Sequence, residues 1–172
     1  MAKTYTLPDE SEGWVDDLSD AVVSVLQEIG YFDRILNKEP KHAPGHGITA
    51  ATWVQDLRAL PKASGLAMTS SLMTYQVRMY KAVDKQGDYL REDLIDINMT
   101  KAGAAIIRTV HDPFDFDMDP LVSHVDIMGE HSGAPMAMTM GHIEIDGTVF
   151  RAGDIFVPIV IRDMWLQRGT NG

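Results

Sequence analysis

An acidic segment in the second half of the chain carries carboxylates at a spacing that could bind calcium. Its acids alternate as the oxygen ligands of a calcium-binding loop do, and Asp126 falls at the twelfth position counted from Asp115. The alternating acids are Asp112, Asp115, Asp117 and Asp119. The sixth position of such a loop needs glycine for a sharp turn, but Pro120 stands there and a strand-like run follows. A solvated acidic turn is therefore the favoured interpretation, with calcium binding as the alternative.

Methionines and one histidine alternate over residues 136–142, so they are expected to project from one face of a strand. The alternating residues are Met136, Met138, Met140 and His142. Thioether and imidazole ligands suit copper(I). Bulky side chains on one face also form the core side of a strand or a subunit contact. The core interpretation is favoured, and a copper site is the alternative.

Two histidines and a glycine pair lie in one short segment that is rich in proline. His42 and His46 are four positions apart, which is a metal-binding spacing on a helix, but Pro44 and Gly45 between them do not fit a helix. Both histidines are therefore expected to be exposed loop residues. The G-x-G that ends at Gly47 leads into a strand, so it lacks the helix N-terminus that holds a phosphate.

The motifs of catalysis are incomplete in this chain. His142-x-Glu144 matches the first half of a zinc deaminase signature, but the second half needs cysteines and the chain contains none. Ser64 and Ser132 each precede a glycine, yet neither has the earlier glycine of a G-x-S-x-G elbow. The sequence thus predicts a protein that is not an enzyme, with no cofactor, no catalytic residue and no metal site.

Composition and charge predict one globular domain, residues 1–172, with short flexible ends at about 1–9 and 164–172. A chain of 172 residues with 45% hydrophobic content can bury a sizeable core. Its net charge of −10 repels nucleic-acid phosphates, and its basic residues are scattered singly. The N-terminus lacks the apolar run of a signal peptide, and no run reaches the roughly 18 residues of a membrane span. We therefore expect a soluble intracellular protein.

Two amphipathic helices are predicted from apolar residues at helical spacing. The first begins near Ser11 and ends at Gly30, and the second runs from about Glu92 to Val110, where Asp112-Pro113 stops it. The apolar stripes are Trp14, Leu18, Ala21, Val25 and Ile29 in the first helix and Ile95, Met99, Ala102, Ile106 and Val110 in the second.

Strands are predicted from alternating runs that flank these helices. They are a hairpin-like pair within Phe32–Val54, a half-buried strand at Ser71–Lys81, and three runs at Leu121–Met128, Met136–Ile145 and Thr148–Ile161. Asp146-Gly147 predicts a tight hairpin between the last two. Pro158 cannot donate a ladder hydrogen bond, so it predicts an edge strand or a bulge. The order favours an α+β fold (an α/β sandwich) with one mixed, mainly antiparallel sheet packed against two helices.

Three blocks of the sequence resemble the tail terminator (tail completion) proteins of long-tailed bacteriophages, of the lambda type. The blocks are FDRILNKEPKHAPGHGITAATWVQ, ASGLAMTSSLMTYQVRMY and GHIEIDGTVFRAGDIFVPIV. The most specific motifs are E-P-K-x-A-P-G-x-G at Glu39–Gly47, A-S-G-L-A at Ala63–Ala67 and I-D-G-x-x-F-R at Ile145–Arg151. The resemblance covers most of the chain from Phe32 to about Asp163.

This resemblance implies a virion structural protein that closes into a homohexameric ring on the head-proximal end of the tail tube. Such a ring ends tube polymerisation and joins the tail to the head, so its partners are its own copies, the major tail tube protein and the head-to-tail connector or stopper protein. Genomic DNA would pass through the lumen without specific binding, and no membrane is involved. The protein would be assembled in the host cytoplasm and reside in the virion tail.

A ring requires one patch of each copy to meet a different patch of the next. Two loops are candidates, Pro40–Gly47 and Lys62–Ser70. Prolines that fix a loop reduce the entropy lost on docking. The predicted contact residues are Pro40, Lys41, His42, Pro44, His46, Lys62, Ser64 and Leu66. The alternatives are another neck or connector protein, a tail-tube subunit or, from a different class, a small metal-binding protein for calcium or copper.

Overall fold

The computed structural model describes residues 13–60, 69–83, 89–111, 118 and 121–163. The helices and strands within them are α1 (Gly13–Ile29), β1 (Arg34–Leu36), β2 (Ile48–Ala59), β3 (Thr69–Ala82), α2 (Tyr89–Val110), β4 (Val122–Val125), β5 (Met138–Ile145) and β6 (Thr148–Asp163). The strands form one sheet in the order β1-β2-β3-β6-β4, and β5 also pairs with β6. The β1–β2 pair is parallel and the other described pairs are antiparallel. The predicted fold class is confirmed; the ends at 1–9 and 164–172 lie outside the described residues.

Helix α1 forms where it was predicted, because its apolar residues recur at helical spacing and a glycine ends it. Gly30 has a φ of +74° and donates its backbone N–H to the Gln27 carbonyl, which is the geometry of a glycine C-cap. Leu18 and Val25 of the predicted stripe are buried. Val22 and Leu26 are buried as well, so the buried face is wider than the predicted stripe.

Helix α2 packs against the sheet, and its Gly103 meets the Met138 side chain of β5. A Cβ on Gly103 would lie 2.5 Å from the Met138 sulfur, so a larger residue would require that side chain to move. The predicted stripe is confirmed, since Met99, Ala102, Ile106 and Val110 are buried and Ile95 packs against the same core. The Arg151 guanidinium on β6 contacts the Asp96 carboxylate on α2, with Nε and Oδ1 2.7 Å apart, and so ties the helix to the sheet.

Strands β3 and β6 form the centre of the sheet and are buried on both faces. On the helix face, Tyr75 and Ile159 belong to the main core. On the other face, which we call the second face, Leu72 and Tyr80 are buried too. The strand predicted at Ser71–Lys81 forms as part of β3, but the prediction that it is half-buried was wrong, because alternation reported one buried face and missed a second, more polar one.

The predicted hairpin-like pairing within Phe32–Val54 was also wrong, because β1 and β2 run parallel. Arg34 pairs with Thr49 and Leu36 with Ala51. A parallel pair needs a connection that returns along the length of the strand before the second strand begins. Residues 37–47 make this return, and we call them the arm.

Pro158 lies in the interior of the sheet, so the edge-strand alternative predicted there was wrong. The irregularity near it is on the neighbouring strand, where the β4–β6 ladder shifts register between Val122 and His124. It stands opposite Thr74 of β3, and its carbonyl accepts a hydrogen bond from the Asp126 backbone N–H on the other side. β5 pairs with β6 as far as Ile155 and β4 pairs with it from Ile159. Pro158 thus falls between the two ladders, where a missing N–H donor costs little.

The hairpin predicted at Asp146-Gly147 is confirmed. Asp146 has a φ of 51° and Gly147 a φ of 74°, and two consecutive positive φ values define the turn that suits the twist of paired strands. The turn joins β5 to β6 with Ile145 opposite Thr148. It also points Asp146 towards the arm.

Candidate assembly site

The arm is fastened at its C-terminal end by Asp33, which directly precedes β1. Its backbone N–H donates to the Ile48 carbonyl at 2.9 Å, and its carboxylate accepts the Ile48 N–H at 2.7 Å. A Cβ at Gly47 would lie 2.6 Å from this carboxylate, and Gly47 has a φ of +95°. Only glycine fits this position. The backbone at this end of the arm is therefore held in a single conformation.

The middle of the arm is fastened to the β5–β6 turn. The Ala43 backbone N–H donates to the Asp146 carboxylate at 2.9 Å. His42 Nδ1 lies 3.5 Å from the same carboxylate, but its side chain is 90% exposed, so this contact contributes little. Asp146 belongs to the I-D-G motif and Ala43 to the E-P-K motif, so the structure brings two of the sequence motifs into contact.

The arm covers a small core on the second face of the sheet. This core consists of Ala51, Tyr80 and Phe150, and Ala43 of the arm packs against it. Tyr80 and Phe150 meet edge to face with ring centroids 6.3 Å apart. Pro44 is buried. The arm is therefore part of the folded domain along its inner side.

A half-buried ion pair lies beside this small core. The Arg78 guanidinium of β3 donates two hydrogen bonds to the Asp154 carboxylate of β6, from Nε at 2.6 Å and from Nη2 at 2.9 Å. Its central carbon lies 5.8 Å from the centroid of the Trp53 ring, over which it stacks. Gln76 donates to the same carboxylate at 3.1 Å. The bond to Asp154 raises the pKa of Arg78 further. Burial raises the pKa of Tyr80 to about 12, although Arg78 acts in the opposite direction. This network fixes the sheet under the arm.

The predicted contact residues of the arm differ in exposure. Lys41, His42 and His46 are exposed, whereas Pro40 is half-buried and Pro44 buried. Of the predicted contact residues, the outer side of the arm thus presents Lys41, His42 and His46 on a backbone that is held from within, beside the exposed Lys38 and Glu39. The other predicted contact residues, Lys62, Ser64 and Leu66, lie outside the described residues.

The methionine stripe faces the helix side of the sheet. Met136, Met138 and Met140 are partly buried and pack against the main core, whereas His142 is exposed. This placement agrees with the core interpretation of the stripe. The described residues contain no cluster of three or more histidines and acids that could hold a metal ion. The aspartates of the calcium interpretation other than Asp126 lie outside the described residues.

Asp126 has a role that the calcium spacing did not indicate. Its carboxylate is buried and accepts backbone N–H groups from Glu130, His131 and Ser132 at 2.6–2.8 Å. Burial acts to raise the pKa of Asp126, but these hydrogen bonds outweigh it and lower the pKa below its ordinary value. The side chain therefore organises the loop between β4 and β5. Gly129 and Gly133, which both have positive φ, and Pro135 are the sequence signals of this loop.

Comparison with the models of known protein families and with curated proteins gives no match for this chain. Among the residues that the structure describes, neither helix has the length and apolar character needed to cross a bilayer.

Proposed function

We propose that this chain is a tail terminator of a long-tailed bacteriophage, which forms a ring on the head-proximal end of the tail tube. The proposal starts from the sequence motifs that resemble this family. The observation that carries it furthest is the contact between two of those motifs, in which Ala43 of the arm donates to Asp146 of the β5–β6 turn. Residues that are far apart in sequence thus cooperate to hold one loop.

The shape of the arm supports a role in assembly. Its inner side is fastened by Asp33 and Asp146 and by the packing of Ala43 on the second-face core. A loop that is already ordered loses little entropy when a partner docks on it. Its exposed outer side, with Lys41, His42 and His46, is the surface that a neighbouring subunit or a tail protein would contact.

The charge of the chain supports a DNA channel. A net charge of −10 makes the average surface repel phosphate, so DNA can slide through a ring of such subunits without sticking. Six copies in one ring would use a heterologous interface, in which the outer side of the arm would face a different surface of the next copy.

Electron microscopy of the purified chain mixed with its tail tube protein tests the proposal. A terminator binds one end of a tube and stops growth, so we expect short capped tubes and single rings. Long tubes built from this chain alone would show a tube subunit instead. Tubes that grow without limit in its presence would contradict termination.

Variants of the arm test whether its outer side makes the contact. Lys41→Ala, His42→Ala and His46→Ala together remove the exposed side chains of the predicted contact set and leave the hydrogen bonds of Asp33 and Asp146 in place. We expect an unchanged melting temperature and loss of capping. Arg108→Ala is the matched control, because Arg108 is also exposed but lies on α2. Full capping by the triple variant would show that the arm is not the contact.

A further inference from the structure

One long edge of the sheet, on the side of β5 that faces away from β6, is unpaired among the described residues. β5 is eight residues long, and β6 is the one described strand that pairs with it. The ladder between them runs from Met138 to Ile145 without a register shift. Thr139, Gly141 and His142 are exposed. A further strand can therefore reach this edge, which we call the open edge.

The β5–β6 turn determines which backbone groups point towards the open edge. In a two-residue hairpin the flanking residues, here Ile145 and Thr148, exchange both hydrogen bonds, and bonded pairs then recur at every second residue. Val149 agrees with this alternation, because its carbonyl is turned away from β5 and accepts the Val83 N–H at 3.0 Å. The residues whose N–H and carbonyl groups point outward are therefore Met138, Met140, His142 and Glu144.

The open edge lacks the features that usually prevent strands of different molecules from pairing. Such edges are blocked by short strands, charged side chains, prolines or bulges. From Met138 to Gly141 the edge has no charge, proline or bulge, and its one acid, Glu144, lies next to the turn. Within the described part of the chain, no hydrogen bond reaches the outward N–H groups. An added strand would supply their partners.

We propose that β5 pairs antiparallel with β5 of a second copy of this chain, about a two-fold axis at Gly141. In that register Met140 lies opposite His142 of the second copy and Met138 lies opposite Glu144. All the outward N–H and carbonyl groups of both strands are then paired, whereas an axis at Met140 or His142 would leave some of them unpaired. A Cβ on Gly141 would meet nothing within 4 Å, so the second strand has room at the axis.

This two-fold contact differs from the contact that a ring requires. It joins identical surfaces and closes after two copies, whereas a ring joins unlike surfaces. The dimer is therefore a property of the free chain, and its existence is independent of the proposed function.

Single cysteines test the register, because the chain has none of its own. At the axis, the two Gly141 Cα atoms would be about 4.5 Å apart, which lies within the range that a disulfide spans. Gly141→Cys should therefore form a covalent dimer under mild oxidation, and a reductant should reverse it. Thr139→Cys is the matched control, since Thr139 is exposed too but would lie roughly 14 Å from its own copy. It should stay monomeric on a denaturing gel.

Sedimentation of the full-length chain at rising concentration measures the reversible dimer. His142→Pro removes an outward N–H that does not bond to β6, so the monomer should keep its fold. Each dimer loses two hydrogen bonds, so its dissociation constant should rise at least about tenfold. His142→Ala keeps the N–H and should dimerise like the parent chain.

The proposal is overturned if the parent chain sediments as a monomer at every soluble concentration. It is overturned equally if Gly141→Cys forms no covalent dimer, or if Thr139→Cys cross-links as readily. Equal dimerisation of a folded His142→Pro and of His142→Ala would place the contact elsewhere. Should circular dichroism show that His142→Pro is unfolded, the cysteine pair decides. None of these measurements uses a tail tube, so their outcome is separate from that of the capping experiment.

Discussion

Among single residues, Asp126 has the clearest energetic role, because one buried carboxylate satisfies three backbone N–H groups of the loop between β4 and β5. Hydrogen bonds to a charged acceptor are stronger than neutral ones. We expect Asp126→Asn to lower the free energy of unfolding by about 2–3 kcal/mol, measured by urea unfolding at neutral pH. Asp20→Asn, at an exposed position of α1, is the control and should change it by less than about 0.5 kcal/mol.

The same carboxylate predicts an acid dependence of stability. Its pKa is lower in the folded than in the unfolded chain, so its contribution is complete above the unfolded pKa and is lost as the pH falls through the folded pKa. The parent chain should therefore lose more stability than Asp126→Asn between pH 5 and about pH 2. An equal loss in both proteins would contradict this role of Asp126.

Two glycines of this loop form a matched pair for a test of packing. Gly129 and Gly133 both have positive φ, but a Cβ on Gly129 would lie 2.3 Å from the Ala134 carbonyl carbon, whereas a Cβ on Gly133 meets nothing within 4 Å. We expect Gly133→Ala to cost about 1 kcal/mol from backbone strain alone. Gly129→Ala should cost at least about 2 kcal/mol more, because the loop must shift. Equal losses of stability in the two variants, measured by thermal unfolding, would show that the loop rearranges easily around the added methyl group.

At the scale of elements, the arm explains why part of the fold was predictable and part was not. Local patterns predicted both helices and the Asp146-Gly147 hairpin, because capping glycines, apolar stripes and turn residues act within a few positions. The parallel course of β1 and β2 depends on Asp33 meeting Ile48, which no local pattern indicates. The small core under the arm likewise joins residues from β2, β3 and β6.

Burial of Pro44 changes what is expected of the arm when it is altered. A free loop would tolerate Pro44→Ser without loss, but Pro44 is buried and its neighbour Ala43 packs on the second-face core. We expect Pro44→Ser to lower the free energy of unfolding by about 1–2 kcal/mol, because it adds backbone freedom and buries a hydroxyl. Pro40→Ser, at a half-buried position, is the control and should lower the free energy of unfolding by less. Calorimetry measures both variants. If both variants melt at the same temperature as the parent chain, the inner side of the arm does not stabilise the fold.

At the scale of the whole molecule, one sheet carries a large core on its helix face and a smaller one, under the arm, on its second face. The sequence predicted the first core, since alternating apolar residues report it directly. The candidate contact surface was predicted as a set of loop residues, and both histidines were expected to be exposed. Sequence did not indicate which of the set faces inward: Lys41, His42 and His46 are exposed, whereas Pro44 is buried by the parallel return of the chain.

The proposed function is that this chain ends tube growth and joins tails to heads. The most direct test is the length of the tails made by a phage that carries the gene for this chain, with that reading frame interrupted. Electron micrographs of the lysate should show tubes longer than those of the parent phage and heads without tails, and supplying the intact chain should restore both. Tails of normal length joined to heads, in the absence of the chain, would contradict the account.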